Sequence, residues 1–232
     1  MQKKISRFLV KQSKEKLTDR GSLAIINEYL IASGITAKLE NIFPLPGSGR
    51  GIVAADYIRT LIFHFCDGGR HLEEIEGMKS DTGFLSLIKM KTMPGSDAVG
   101  NWLRRFGSKS GIGLIQQAND YMIKQYLANS TNQEFVFDVD GTLIESNKGD
   151  ASYCVYKQIT GYHPMLGWLS NGSDEAVCSY AKFRQGSASA QTDLLNALNP
   201  SSTLFTQLCS KSAESKIGFL VSACFYRGGP DC

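Results

Sequence analysis

The sequence predicts an α + α/β chain: helices over residues 1–130, then a mixed sheet over 131–232. Three observations carry that reading. Apolar residues recur at helical spacing as far as about Leu127, and from Phe135 they alternate with period two. The polar run Asn129-Ser-Thr-Asn-Gln133 separates the two regimes. Charge divides at the same place: residues 1–130 hold 18 Lys+Arg against 12 Asp+Glu, and residues 131–232 hold 7 against 10. The halves are therefore +6 and −3, which suits a first half that holds a polyanion and a second that gathers carboxylates. A length of 232 residues leaves room for one or two domains.

Each element follows from local signals. Ser22 starts a helix that runs through Ser33 and stops at Gly34. The Pro/Gly stretch from Pro44 to Gly51 opens a second helix over 52–66, closed by Asp67-Gly68-Gly69. Residues 72–76 and 82–88 read as short helical turns. Ser96 caps the next helix, 97–106, which ends at Gly107. Its Val99, Trp102, Leu103 and Phe106 fall on one face, with Asn101, Arg104 and Arg105 opposite. A longer helix over 112–127 completes the first half. Beyond the linker, strands are expected at 135–140, 152–157 and 163–169, then a helix at 189–198 and a buried strand at 216–223.

Several function classes are disfavoured. The longest apolar run, Ile217 to Tyr226, has ten residues, short of the roughly 18 that span a bilayer. The basic opening is followed only by Phe8-Leu-Val10, too short for a signal peptide. Six cysteines form no C-x-x-C pair or zinc spacing, which implies reduced thiols in a cytoplasmic protein.

The sharpest chemical feature is Phe135-Val-Phe-Asp138-Val-Asp140-Gly-Thr142. Side chains two apart on a strand share a face, so Asp138 and Asp140 project together. Adjacent carboxylates repel unless a cation or a shared proton relieves them, and hard oxygen ligands suit Mg²⁺. The plain structural alternative is a pair of acids at an exposed strand end.

Two families share this string. It is similar to the opening motif of haloacid dehalogenase-like, Mg²⁺-dependent phosphatases, in which Asp138 would be nucleophile and Asp140 general acid/base. That family also needs a later Ser/Thr, a Lys and an acidic pair; Ser222 could serve, but only ten residues follow, without a Lys or an acidic pair. Residues from about Pro44 to Tyr226 instead resemble bacterial insertion-sequence transposases of the DDE class, in the branch whose first catalytic strand reads D-x-D-[AG]-T. The resemblance continues through Tyr156-Lys157, Gly161-Tyr-His-Pro164-Met-Leu-Gly167 and Phe183-Arg184-Gln-Gly186. In the first half it runs through Gly69 to Leu72, Glu74-Ile75, and Met93-Pro94 to Trp102-Leu103.

That resemblance implies a helical DNA-binding region at 1–130 and an RNase H-like catalytic domain at 131–232. The domain would open with three antiparallel strands, a helix and a parallel strand. Asp140 would be the first of three acids holding two Mg²⁺ ions for cleavage and strand transfer at transposon ends, with Asp138 in a supporting metal role. The implied partner is double-stranded DNA, the terminal inverted repeats, with no membrane. The second acid belongs where Val221-Ser222-Ala223 stands, so Val221 replaces an expected Asp, and no later Glu follows. The expectation is a truncated, catalytically incomplete remnant, non-cutting alone, that occupies DNA as a homo-oligomer or paired with an intact transposase.

For DNA binding, residues 72–106 could form a helix-turn-helix-like unit presenting Asn101, Arg104 and Arg105 to base edges and phosphates. The alternative is that the arginines complement the helix C-terminus. Arg50, in the glycine loop before the second helix, could meet a phosphate; an ordinary helix-entry loop is the competing reading. His64, His71 and His163 form no metal or triad pattern and are expected to be structural or solvated, and Met90 and Met93 to be core.

Overall fold

The computed structural model describes residues 3–5, 8–10, 14–48, 50–107, 111–129, 134–170, 176–189, 192–193 and 216–220. Backbone contacts divide the chain into two units, Met1–Ala118 and Asn119–Cys232. Helices precede strands, giving a mixed α+β chain. Most of the helix expected at 189–198 lies outside the described residues, as do Val221, Ser222 and Asp231. No helix among the described residues is long and apolar enough to cross a membrane.

The first unit opens with a short antiparallel pair that the sequence reading did not anticipate, β1 (Lys3–Ile5) with β2 (Phe8–Val10). Helix α1 (Leu23–Ala32) stops at Gly34, whose φ of 72° is left-handed and cheap only for glycine. The chain turns there straight into α2 (Ile35–Ile42), a helix the sequence reading missed. Ser22 does not cap α1: its own backbone is helical and its hydroxyl makes no capping bond. Helix α3 (Ala54–Cys66) follows, then a 3-10 turn (Leu72–Glu74), α4 (Ile75–Ser80), α5 (Thr82–Leu87) and α6 (Ser96–Gly107). Ser96 is the first residue of α6 and not its cap; its N–H and hydroxyl both donate to the Glu76 carboxylate, at 2.8 and 3.2 Å.

Apolar periodicity places the core of this unit. Trp102 stacks on Tyr57 with ring centroids 5.1 Å apart and meets Phe106 at 4.5 Å. Phe63 and Phe84 meet edge to face at 5.5 Å, and Met90 and Met93 are buried as expected. Leu103, expected on the buried face of α6, is instead 36% exposed. Arg59 links three elements, donating to Asn27 Oδ1 (2.8 Å), Asp56 Oδ1 (3.2 Å) and the Ile88 carbonyl (3.4 Å).

Asp81 ties the segment before α1 to α5. It accepts from the Phe84 N–H (2.8 Å), the Thr18 hydroxyl (2.6 Å) and Arg20 (3.2 Å), while Arg20 also donates to Asp67 at 2.9 Å. Burial on its own would raise the Asp81 pKa; the Phe84 N–H, the Thr18 hydroxyl and the Arg20 charge outweigh it and hold the carboxyl below its usual value. A depressed folded pKa contributes stability above the unfolded pKa, and that contribution is lost as pH falls through the folded one. The stability gap between the wild type and Asp81→Asn should therefore be constant near neutrality and close below about pH 4. Melting temperatures of both proteins across acid pH check this; a gap independent of pH would refute it.

Helix α7 (Gly111–Asn129) crosses the boundary between the units after Ala118, and its Ile123 and Leu127 join the core of the second. In the main sheet β3 (Glu134–Gly141) is antiparallel to β7 (Met165–Ser170) and parallel to β9 (Lys216–Leu220), and β8 (Ala176–Lys182) is antiparallel to β7, giving the order β8-β7-β3-β9. The expected strand at 152–157 does not belong to this sheet. Only Ser152–Cys154 is extended (β5); it joins β4 (Ile144–Glu145) and β6 (Ile159–Tyr162) in a separate three-stranded sheet. The strand β8 was not foreseen, because Ala176-Val-Cys-Ser-Tyr-Ala-Lys182 alternates weakly.

Candidate functional site

β3 positions both acidic side chains. Phe135, Phe137 and Val139 are buried against Ile123 and Leu127 of α7 and against Met165 and Leu169 of β7. Period two then puts Asp138 and Asp140 on the opposite face, where both are partly exposed. Register sets Asp138 beside Trp168 and Asp140 beside Leu166, and Trp168 is 41% exposed. Asp140 Oδ1 accepts the Gly141 N–H at 2.8 Å, which fixes the carboxylate at the strand end.

On the other side of Gly141 lie two nitrogen groups. A Cβ on Gly141 would stand 2.7 Å from His163 Nε2 and 3.0 Å from Arg184 Nη2. Arg184 is only 6% exposed. Its Nε donates to the His163 carbonyl at 2.9 Å, and its Nη1 to the carbonyls of Ser189 (3.1 Å) and Thr192. Nη2 is buried without a hydrogen-bond partner. Burial pulls the guanidinium pKa down, and the Asp193 carboxylate opposes that. His163 Nδ1 lies 2.8 Å from the Ala188 carbonyl, an acceptor, so Nδ1 carries the proton; the backbone N–H donates to the Arg184 carbonyl at 2.9 Å. The expectation that His163 is structural fits these bonds.

Segments far apart in sequence thus meet behind Gly141. Tyr162 pairs with Gln185 in an antiparallel bridge, its ring lies 4.7 Å from Phe183, and the Gly186 N–H donates to the Gly161 carbonyl at 3.1 Å. These residues belong to two of the segments singled out in the sequence, Gly161 to Gly167 and Phe183 to Gly186. The Tyr162 hydroxyl donates to Asp150 at 2.5 Å, which holds the Asp150 carboxyl below its usual pKa.

No known protein family, curated protein or solved structure matches the chain. Among the described residues no group of three or more His, Cys, Asp or Glu side chains could hold a metal. Asp138 and Asp140, the acids expected to hold Mg²⁺, share one face of β3 and belong to no such group.

In the first unit Asn101, Arg104 and Arg105 are all exposed on α6. Arg104 Nη1 donates to Asn101 Oδ1 at 2.7 Å, so these two side chains form one preset donor group. Both arginines sit in the last turn, where they also complement the helix dipole. Arg50 is exposed in the turn that leads to α3. Sequence reasoning missed the role of Arg184 as the buried tie between two segments. A lone arginine amid small residues, Phe183-Arg-Gln-Gly-Ser-Ala-Ser, was the available signal.

Proposed function

We propose that this chain is a transposase-type DNA-binding protein of the DDE class, whose second half is an RNase H-like unit with Asp140 as first catalytic acid and Asp138 in support. The observation that carries the reading is the main sheet: three antiparallel strands joined by a fourth parallel to the first, with the D-x-D strand between β7 and β9. The resemblance implies the same strand directions with a helix before the parallel strand, and most of the stretch expected to form that helix lies outside the described residues. A phosphatase with the same opening motif would place its acids on a strand followed by a helix in a parallel sheet, whereas β3 pairs antiparallel with β7. The meeting of the Gly161 and Phe183 segments behind Gly141 supports the same reading.

On this reading the first unit engages duplex DNA, with Asn101, Arg104 and Arg105 facing bases and phosphates and Arg50 a phosphate. Asp140 and Asp138 would hold one Mg²⁺. The second ion needs a carboxylate where Val221 stands, so the chain binds transposon ends without cutting them. The purified 232-residue protein is expected to bind duplex DNA with affinity that falls steeply as salt rises, because neutralised phosphates release counterions. It is expected to leave supercoiled DNA intact with Mg²⁺ present. Absence of salt-dependent binding would end the DNA-binding assignment, and nicking abolished by Asp140→Asn would end the claim of incompleteness. Hydrolysis of a small phosphomonoester, lost on Asp138→Asn, would replace the whole reading with a phosphatase.

A further inference from the structure

The first unit holds a basic cleft that the α6 residues do not account for. It measures about 380 Å³ and gathers Lys16, Lys89 and Lys91 around the hydroxyl-bearing residues Thr82 and Ser86, with the buried side chain of Met90 in its lining. No carboxylate lines it. Asp81, the acid that precedes α5, is already engaged with Thr18, Arg20 and the Phe84 N–H. None of the three lysines makes an ion pair among the described residues, and all three are exposed.

The backbone adds a second observation. Lys89 stands just past α5 with φ 54°, left-handed, and the Met90 N–H closes the helix end on the Leu85 carbonyl at 3.0 Å. Glycine or asparagine normally fills that position, since a Cβ there is strained. Here the strained residue lines the cleft beside two further cations. Three exposed lysines lining one space, with no carboxylate among them, make it attractive to a polyanion.

We propose that this cleft grips backbone phosphates of duplex DNA. The proposal rests on the DNA-binding reading above and extends it by placing a phosphate contact on Lys16 and the α5 end in addition to those on α6 and Arg50. Lysine and hydroxyl side chains are the groups that position a duplex through its phosphates without reading sequence. The open cleft and the positive first half favour a long polyanion over a small enclosed one.

The test is fluorescence anisotropy with a labelled duplex of random sequence, titrated with salt, on the full chain and on the triple variant Lys16→Gln, Lys89→Gln, Lys91→Gln. The wild type should bind, and the triple variant should show a plot of log affinity against log salt shallower by about three, roughly one per lost contact. The loss should be equal for unrelated sequences. Lys89→Gly serves as a second variant, because glycine suits φ 54° and the fold is kept while one charge goes; it should flatten the slope by about one. Wild-type binding with an unchanged slope in the triple variant would overturn the cleft and leave the DNA-binding reading standing. No binding by the wild type would overturn both. Stoichiometric pyrophosphate binding, lost in the triple variant while its DNA binding is kept, would make the cleft a small-anion site and overturn the proposal.

Discussion

Replacing Trp102 with alanine is expected to cost the first unit about 4 kcal/mol, the range of a buried aromatic truncated in a core. Trp102 is 2% exposed and is the hub of an aromatic cluster. Its ring lies parallel to Tyr57 within 4°, 4.5 Å from Phe106 and 6.4 Å from Phe43, so one deletion strips contacts from α3, α6 and the end of α2 together. Stacked and offset pairs add about 1 kcal/mol each beyond the area they bury. Denaturant unfolding followed by helical circular dichroism reads the loss. Trp102→Phe keeps a ring against Tyr57 and should lose less than half as much stability as the alanine variant. A change below about 1 kcal/mol in the alanine variant would mean that the cluster does not hold the helices together.

Gly161→Ala and Gly186→Ala should each destabilise the second unit by about 3 kcal/mol, the upper end for overpacking by a methyl group. The reason is what the methyl would meet. At Gly161 a Cβ runs into the Ile144 carbonyl oxygen, with Ile144 C at 2.9 Å and Glu145 Cα at 3.1 Å. At Gly186 it runs into the carbonyl oxygens of Ser152 and Gly161, with Gly161 C at 3.0 Å. All of these are backbone atoms of paired strands, and backbone cannot step aside as a side chain does. Gly149→Ala is the control, since nothing lies within 4 Å of its Cβ, and it should be near neutral. Gly141→Ala falls between, because it meets only the far ends of His163 and Arg184. Thermal unfolding of the four variants ranks them. Equal effects at Gly149 and Gly161 would contradict the close-approach argument.

These glycines show how much of the site was legible beforehand. Gly161 and Gly186 stood in segments picked out by resemblance, but no local rule said that they touch. The same holds for Arg184: its residue type was visible, and its burial against the carbonyls of His163, Ser189 and Thr192 was not. Asp138 and Asp140 were the opposite case. Their shared face follows from the pleat of one strand and needs no partner. Helix α6 was also readable, Leu103 excepted, since an amphipathic stripe names its own buried side. α2 was missed because the turn at Gly34 reads as an ending, and only the packing of Ile35 and Leu39 shows that a helix resumes at once.

The sequence by itself determined where the period changes from helix to strand, which residues of β3 face inward, and that two carboxylates share its other face. All three are properties of a few consecutive residues. Only the tertiary structure decided which strands share a sheet, sending Ser152–Cys154 to a small separate one and bringing Ala176–Lys182 into the main one. It also decided which distant lysines ring a common cleft. Strand pairing and cleft formation depend on hydrogen bonds and contacts between residues far apart in the chain, and a local pattern carries no record of its partner.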